Sequence, residues 1–211
     1  MRFTKFKAKI SPSMKRIFLA FPLVIALTAI SAAAGDEYSY KKEFGISFGF
    51  SPDSCDCLIG RVADQQYYEA SLNLGYVLRQ SESYALKYRA SLVPFALVRG
   101  EQTAVNYRSS RAVYAGGAEP IGFQLNLRNR RKIQPFAALT GGFLYFTEQV
   151  PVADSSQFNF TFSFGGGVEI LSAGHSIALG YRYHHISNGY TAPLNPGIDS
   201  QILSIGFSFK R

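Results

Sequence analysis

The chain has 211 residues, 22 Lys and Arg against 14 Asp and Glu, and a formal charge of +8. Six of those basic groups and none of the acids lie in the first 34 residues, so removing that segment leaves 16 basic against 14 acidic side chains. The basic balance that would point to a nucleic-acid partner then disappears. No later window approaches the ~18 apolar residues of a membrane helix, so a membrane-anchoring helix is an alternative only for the first 34 residues.

The first segment has the layout of a secretory signal peptide. Arg2, Lys5, Lys7, Lys9, Lys15 and Arg16 form a basic n-region, Ile17 to Ile30 an apolar stretch, and Ala32-Ala33-Ala34 a small-residue cleavage site before Gly35. The expected division is a leader over 1–34 and one mature domain over 35–211, with Met14 as an alternative start. Export would carry Cys55 and Cys57 into an oxidising compartment. A Cys-Asp-Cys bridge closes a very small ring, read here as a local loop staple, with two free thiols as the alternative. Two thiolates without a further Cys or His nearby make a poor zinc site.

Two-residue alternation then recurs along the chain. Phe44, Ile46, Phe48 and Phe50 oppose Gly45, Ser47 and Gly49, and Tyr68 to Leu78 opposes Glu69 to Arg79. Tyr84 to Leu92 opposes Lys87, Arg89 and Ser91, and Ile121 to Leu127 opposes Gly122 to Arg128. Gln134 to Phe146 is strand-like with an unresolved phase. Phe158, Phe160, Phe162 and Phe164 oppose Asn159, Thr161, Ser163 and Gly165, with Gly165-Gly166-Gly167 marking a bulge or close packing. Ile177 to Tyr183 opposes Ser176 to His184, and Leu203 to Phe209 opposes Ser204 to Ser208. The total is eight strands.

These strands exceed the ~5 to 6 residues usual in a soluble sandwich. Their connections alternate between short (Arg79 to Glu82, Arg128 to Lys132, Ser172 to Gly174) and long (Ser51 to Gln65, Arg99 to Gly117, Thr147 to Gln157, Asn188 to Ile198). That is the habit of outer-membrane barrels. The expected fold is therefore all-β: an eight-stranded antiparallel transmembrane β-barrel of the outer membrane, rich in Phe and Tyr. One departure is the terminus Phe209-Lys210-Arg211, where such barrels often finish on the aromatic.

The segment Tyr181 to Asp199 carries the chemistry. With both termini on the periplasmic side, the seventh strand runs outward and the eighth returns, so His185 and Ser187 end one and Asp199 begins the other. All three share the odd-numbered, lipid-facing phase of Leu179 and Ile205. His185 and Ser187 are ~6.6 Å apart along the strand, and a neighbouring strand lies ~4.8 Å away. Placing His185 opposite Asp199 also pairs Tyr183 with Gln201 and Tyr181 with Leu203, whereas a one-residue slip would split the groups between two faces. Asp199 would orient His185, His185 would take the proton of Ser187, and Ser187 would attack an acyl carbonyl. Asn188, or backbone N–H groups about Gly189, are the candidate oxyanion donors. A bland alternative treats His185 and Ser187 as rim anchors and Asn195-Pro196-Gly197 as an ordinary turn. His184, on the opposite phase beside Arg182, reads as structural.

The run His185-Ile186-Ser187-Asn188-Gly189, followed by Asn195-Pro196-Gly197-Ile198-Asp199 and a short amphipathic terminal strand, resembles the PagL family of lipid A 3-O-deacylases. The resemblance implies an eight-stranded outer-membrane barrel that hydrolyses the ester at position 3 of lipid A. It implies His185 as base, Ser187 as nucleophile, Asp199 as acid partner and Asn188 as an oxyanion contributor. The better-known members carry Glu where this chain has Asp199, which is shorter by one methylene, so Asp199→Glu is expected to retain substantial activity. The implied partners are lipid A or lipopolysaccharide and the outer membrane, with no cofactor and no metal, and a homo-oligomer is compatible. Arg61, Arg99, Arg108 and Arg111 fall in the outer connections, either solvated or facing lipid phosphates. Two rival functions stand: a non-enzymatic barrel that binds lipopolysaccharide, and an esterase or phospholipase acting on other envelope lipids.

Overall fold

The computed structural model describes residues 40–104, 107–128 and 131–211, and for 101–104 and 107–110 the backbone only. The leader read at 1–34 and the start of the mature domain at Gly35 lie outside the described residues. Nine strands follow in chain order: β1 (Lys42–Ser51), β2 (Ser54–Cys55), β3 (Gln65–Gln80), β4 (Tyr84–Ala104) and β5 (Tyr107–Leu127), then β6 (Ile133–Val150), β7 (Ser156–Ser172), β8 (His175–Ser187) and β9 (Ile198–Lys210). Eight of them are staves of a closed antiparallel barrel, each paired with its sequence neighbour and β1 paired with β9. Closure removes the two sheet edges, as a backbone in hydrocarbon requires. The two-residue β2 is no stave and pairs with β9 at its outer end, Ser54 opposite Ser200 and Cys55 opposite Asp199.

Burial is inverted relative to a water-soluble protein. Ile205 is 52% exposed on the outer surface and Lys87 is fully buried inside, which is the pattern of a barrel whose outer solvent is lipid. Phe160, Phe162 and Leu179 are also exposed, as their phase predicts. The eighth predicted strand resolves the off-pattern terminus as well. Phe209 keeps the lipid-facing position, while Lys210 turns inward to Glu43 and Glu169 at 2.8 and 2.6 Å.

Side chains fill the interior in layers. At the end that holds the termini, Lys87 joins the same two carboxylates at 2.6 and 3.0 Å, and Asn126 and Ser176 donate to Glu169. Further along, Arg182 pairs with Glu69, placing both inside as expected. The outer end is closed by an apolar cluster that includes Tyr67, Val98, Phe146, Ile186 and Ile202.

One reading of the sequence changes. The segment Arg99 to Gly117, expected as a long connection, is mostly strand, with β4 reaching Ala104 and β5 beginning at Tyr107. The register shifts between Tyr88 and Ser91 and between Val93 and Ala96 account for the miss, because each bulge resets the face on which alternating residues fall. Of the two alternatives for Gly165-Gly166-Gly167, close packing holds and the bulge does not, since a Cβ at Gly165 or Gly167 would run into the backbone of β8 and the β7–β8 register is continuous. The phase of Gln134 to Phe146 is now assigned, with Gln134, Leu144 and Phe146 inside and Leu139, Phe143 and Tyr145 outside.

The interior ion cluster makes a stability prediction. Lys87→Met leaves Glu43 and Glu169 with Lys210 as their remaining ammonium partner, and should destabilise the refolded barrel by roughly 3 kcal/mol or more. Equilibrium urea unfolding in lipid vesicles measures it, and a change near zero would show that the cluster tolerates an unbalanced charge.

Candidate active site

The β8–β9 register places His185 directly opposite Asp199, with Tyr183 opposite Gln201 and Tyr181 opposite Leu203, as the phase argument requires. His185 Nδ1 and Asp199 Oδ1 are 2.6 Å apart. A carboxylate only accepts, so Nδ1 carries the proton and donates, which leaves Nε2 as the basic nitrogen. Tyr183, two residues before His185 on the same face, donates its hydroxyl to that same Oδ1 at 2.7 Å.

The other carboxylate oxygen is held from a distant part of the chain. Backbone N–H groups of Leu58 and Ile59 donate to Asp199 Oδ2 at 3.0 and 2.8 Å. The residues belong to the connection between β1 and β3, which folds down over the outer end of β9. Its descent is fixed by the β2 pairing, by Arg61 N–H donating to Pro196 O at 2.7 Å and by a parallel bridge between Val62 and Ile198. Ser54 ties the two limbs of this connection together, donating its hydroxyl to Val62 O at 2.8 Å and accepting from Gln65 N–H at 3.0 Å. Cys55 and Cys57 are joined in a disulfide, the expected local staple.

This covering segment corrects the picture of three lipid-exposed side chains. Asp199 is fully buried and His185 is 8% exposed, although both lie on the lipid-facing phase. Ser187 is half-buried on the same phase, opposite the exposed Phe160 of β7. No hydrogen bond joins Ser187 to His185 among the described residues, so the structure brings together the His and the Asp and does not join the Ser to them. Catalytic hydrogen bonds of this kind often tighten only around substrate.

Beyond Ser187 the chain forms a compact turn. The Asn188 side chain donates to Leu194 O at 2.7 Å and accepts from Tyr190 N–H at 2.9 Å, and its backbone N–H donates to Asn195 Oδ1 at 2.9 Å. Asn188 is therefore engaged in holding the turn. Gly189, exposed and at φ +62°, makes no backbone N–H hydrogen bond among the described residues. His184 points inward and engages Ser163 through Nδ1 at 2.7 Å, consistent with a structural part. Of the outer arginines, Arg61 pairs with Asp56 and Arg111 with Glu148, Arg99 is exposed, and the Arg108 side chain lies outside the described residues. Sequence reasoning missed the contacts of Tyr183, Leu58 and Ile59 with Asp199. The adjacent Cys55-Asp56-Cys57 staple was the available signal that this connection is built to a shape.

Fold and surroundings define an integral outer-membrane β-barrel with a His-Asp pair on its outward face. More narrowly, the chain belongs to the PagL family, whose model, described as lipid A 3-O-deacylase, matches residues 66–208. Among solved structures it is similar to the outer membrane enzyme PagL, at 18% identity and a TM-score of 0.52, covering 79% of this chain and 99% of that one. It is also similar to Neisserial surface protein A, at 13% identity and a TM-score of 0.51 over 81% of this chain and 97% of that one. Outer membrane protein OprG from Pseudomonas aeruginosa gives 12% and 0.51 over 83% and 99%. At these identities the likeness is one of fold. A sequence comparison with curated proteins returns no match.

Gly197 offers a check on the packing about His185. It sits at φ +66°, and a Cβ there would lie 2.9 Å from His185 Cε1. Gly197→Ala should cost about 1–3 kcal/mol through backbone strain alone, measured by urea unfolding, and an unchanged midpoint would mean that this turn can relax.

Proposed function

We propose that this chain removes the ester-linked acyl group at position 3 of lipid A with Ser187 as nucleophile, His185 as general base and Asp199 as the acid that orients it. The observation that carries the reading is the 2.6 Å contact of His185 Nδ1 with a buried Asp199, on the outward face of a barrel in a deacylase family. Ser187 Oγ attacks the ester carbonyl carbon as its proton passes to His185 Nε2. The resulting oxyanion is stabilised by the Gly189 N–H, and by Asn188 once its side chain releases Leu194. Collapse breaks the bond to the sugar oxygen, which takes the proton from His185. Water, deprotonated by the same nitrogen, then frees the fatty acid and restores Ser187.

The surroundings suit an acyl substrate. Phe160 and Phe162, opposite Ser187 and His185 on β7, are exposed on the lipid side, so an ester in the membrane reaches Ser187 without leaving hydrocarbon. The carboxylate is meanwhile shielded by the β1–β3 connection, where a low-dielectric setting strengthens its hold on the imidazolium formed during attack.

Ser187→Ala removes one oxygen from a half-buried position, so the barrel should fold normally while release of 3-hydroxy fatty acid from lipid A falls by ~10³-fold or more. The assay uses purified, refolded protein without added metal, with phospholipid and a soluble ester run beside lipid A. Parental activity in Ser187→Ala would return the site to a rim-anchoring role, and hydrolysis of phospholipid in preference to lipid A would reassign the substrate. His184→Ala, altered on the inner face, is the matched control and should turn over within about 3-fold of the parent.

A further inference from the structure

Among the described residues the Asp199 carboxylate accepts four hydrogen bonds, two on each oxygen, and one of the four comes from His185. We propose that the β1–β3 connection is a working part of the catalytic centre: with Tyr183 it positions the Asp199 carboxylate on His185, and it sets the length of the acid so that Asp, and not Glu, fits this chain. The inference rests on the hydrolase reading above and deepens it. Leu58, Ile59 and Tyr183 act through Asp199, so they are positioning groups.

The first support is space. A Cβ built at Gly60 would stand 2.8 Å from Asp199 Oδ1 and 2.9 Å from its Cγ, so the connection's backbone already lies against the carboxylate. A longer acid projects ~1.5 Å further and must either push Leu58 to Gly60 outward or abandon the Tyr183 hydroxyl. The proposal therefore departs from the expectation, drawn from family resemblance, that Glu would serve in this position.

The second is rigidity. The connection is pinned on both sides of the carboxylate contact, by Ser54 and Cys55 pairing with Ser200 and Asp199 before it and by Arg61 and Val62 bonding to the Asn195-Pro196-Gly197 turn after it. The Cys55–Cys57 bridge closes the chain immediately before Leu58 and limits retreat. The third is that the shorter acid is compensated. Strands β8 and β9 keep a regular register through His185 and Asp199, and donors from the connection come down to Asp199. The family match begins at residue 66, so Leu58, Ile59 and Gly60 precede the matched region.

The test compares refolded full-length parent, Tyr183→Phe, Asp199→Glu, the Cys55→Ser/Cys57→Ser pair, and Asp199→Glu combined with that pair, all on lipid A in mixed micelles. Tyr183→Phe should lower kcat by about 10-fold with KM nearly unchanged, as for loss of one hydrogen bond to a charged group. Asp199→Glu should fall by about 100-fold, the effect of displacing a catalytic group by roughly an ångström. Adding the Cys pair to Asp199→Glu should restore about 10-fold of that loss, because a slackened connection can retreat from the longer acid, whereas two merely structural defects would compound. Parental turnover in Asp199→Glu, or a combined variant worse than Asp199→Glu alone, overturns the proposal. A second readout is independent of turnover: the low-field NMR signal of the His185 Nδ1 proton should shift in Asp199→Glu and move back in the combined variant. If the parent releases no fatty acid, the hydrolase reading fails, and this signal alone decides the positioning claim: a signal unmoved by Asp199→Glu overturns it.

Discussion

The pairing of β1 with β9, running from Glu43 opposite Lys210 to Phe50 opposite Leu203, is the contact on which the rest of the structure depends. It closes the sheet, and closure is what lets a polar backbone cross hydrocarbon with its hydrogen bonds satisfied internally. It also brings Glu43 within reach of Lys210 and Lys87, so the interior charges meet when the last strand arrives. At the opposite end it carries the β1–β3 connection onto the start of β9, directly over Asp199.

The filled interior decides where function can be. With an ionic cluster at one end, Arg182 and Glu69 between, and an apolar plug at the other, the lumen resembles a folded core more than a passage. The proposed chemistry is on the outer wall, where His185 and Asp199 are both polar and sheltered. Burying a carboxylate is costly unless donors surround it, and four surround this one. Its environment is thus built for a charge that must stay in one place.

Much of this was legible in the sequence because a strand's period of two is rigid. Once Leu179, Tyr181 and Tyr183 fixed a face, His185 and Ser187 followed, and the hydrophobic phase of Leu203 and Ile205 selected one register that set Asp199 opposite His185. Arg99 to Gly117 was misread because bulges interrupt the period where Val93 and Val98 turn inward. The cover over Asp199 was invisible for a different reason. Ser51 to Gln65 has no period, and its contacts with Asp199 span about 140 residues of sequence, so no local pattern announces them. The Asp in place of Glu looked like a small deviation within β9, whereas the reason proposed for it lies in a segment distant in sequence.

That the two ends of the chain meet at the carboxylate bears on biogenesis. The donors to Asp199 come from the first turn beyond β1 and the acid from the last stave, so a chain in transit, with its first and last strands apart, cannot hold the acid in place. Closure of the barrel and placement of the Asp199 carboxylate on His185 are then a single event. A hydrolase of the kind proposed would hold its base oriented only in the closed barrel.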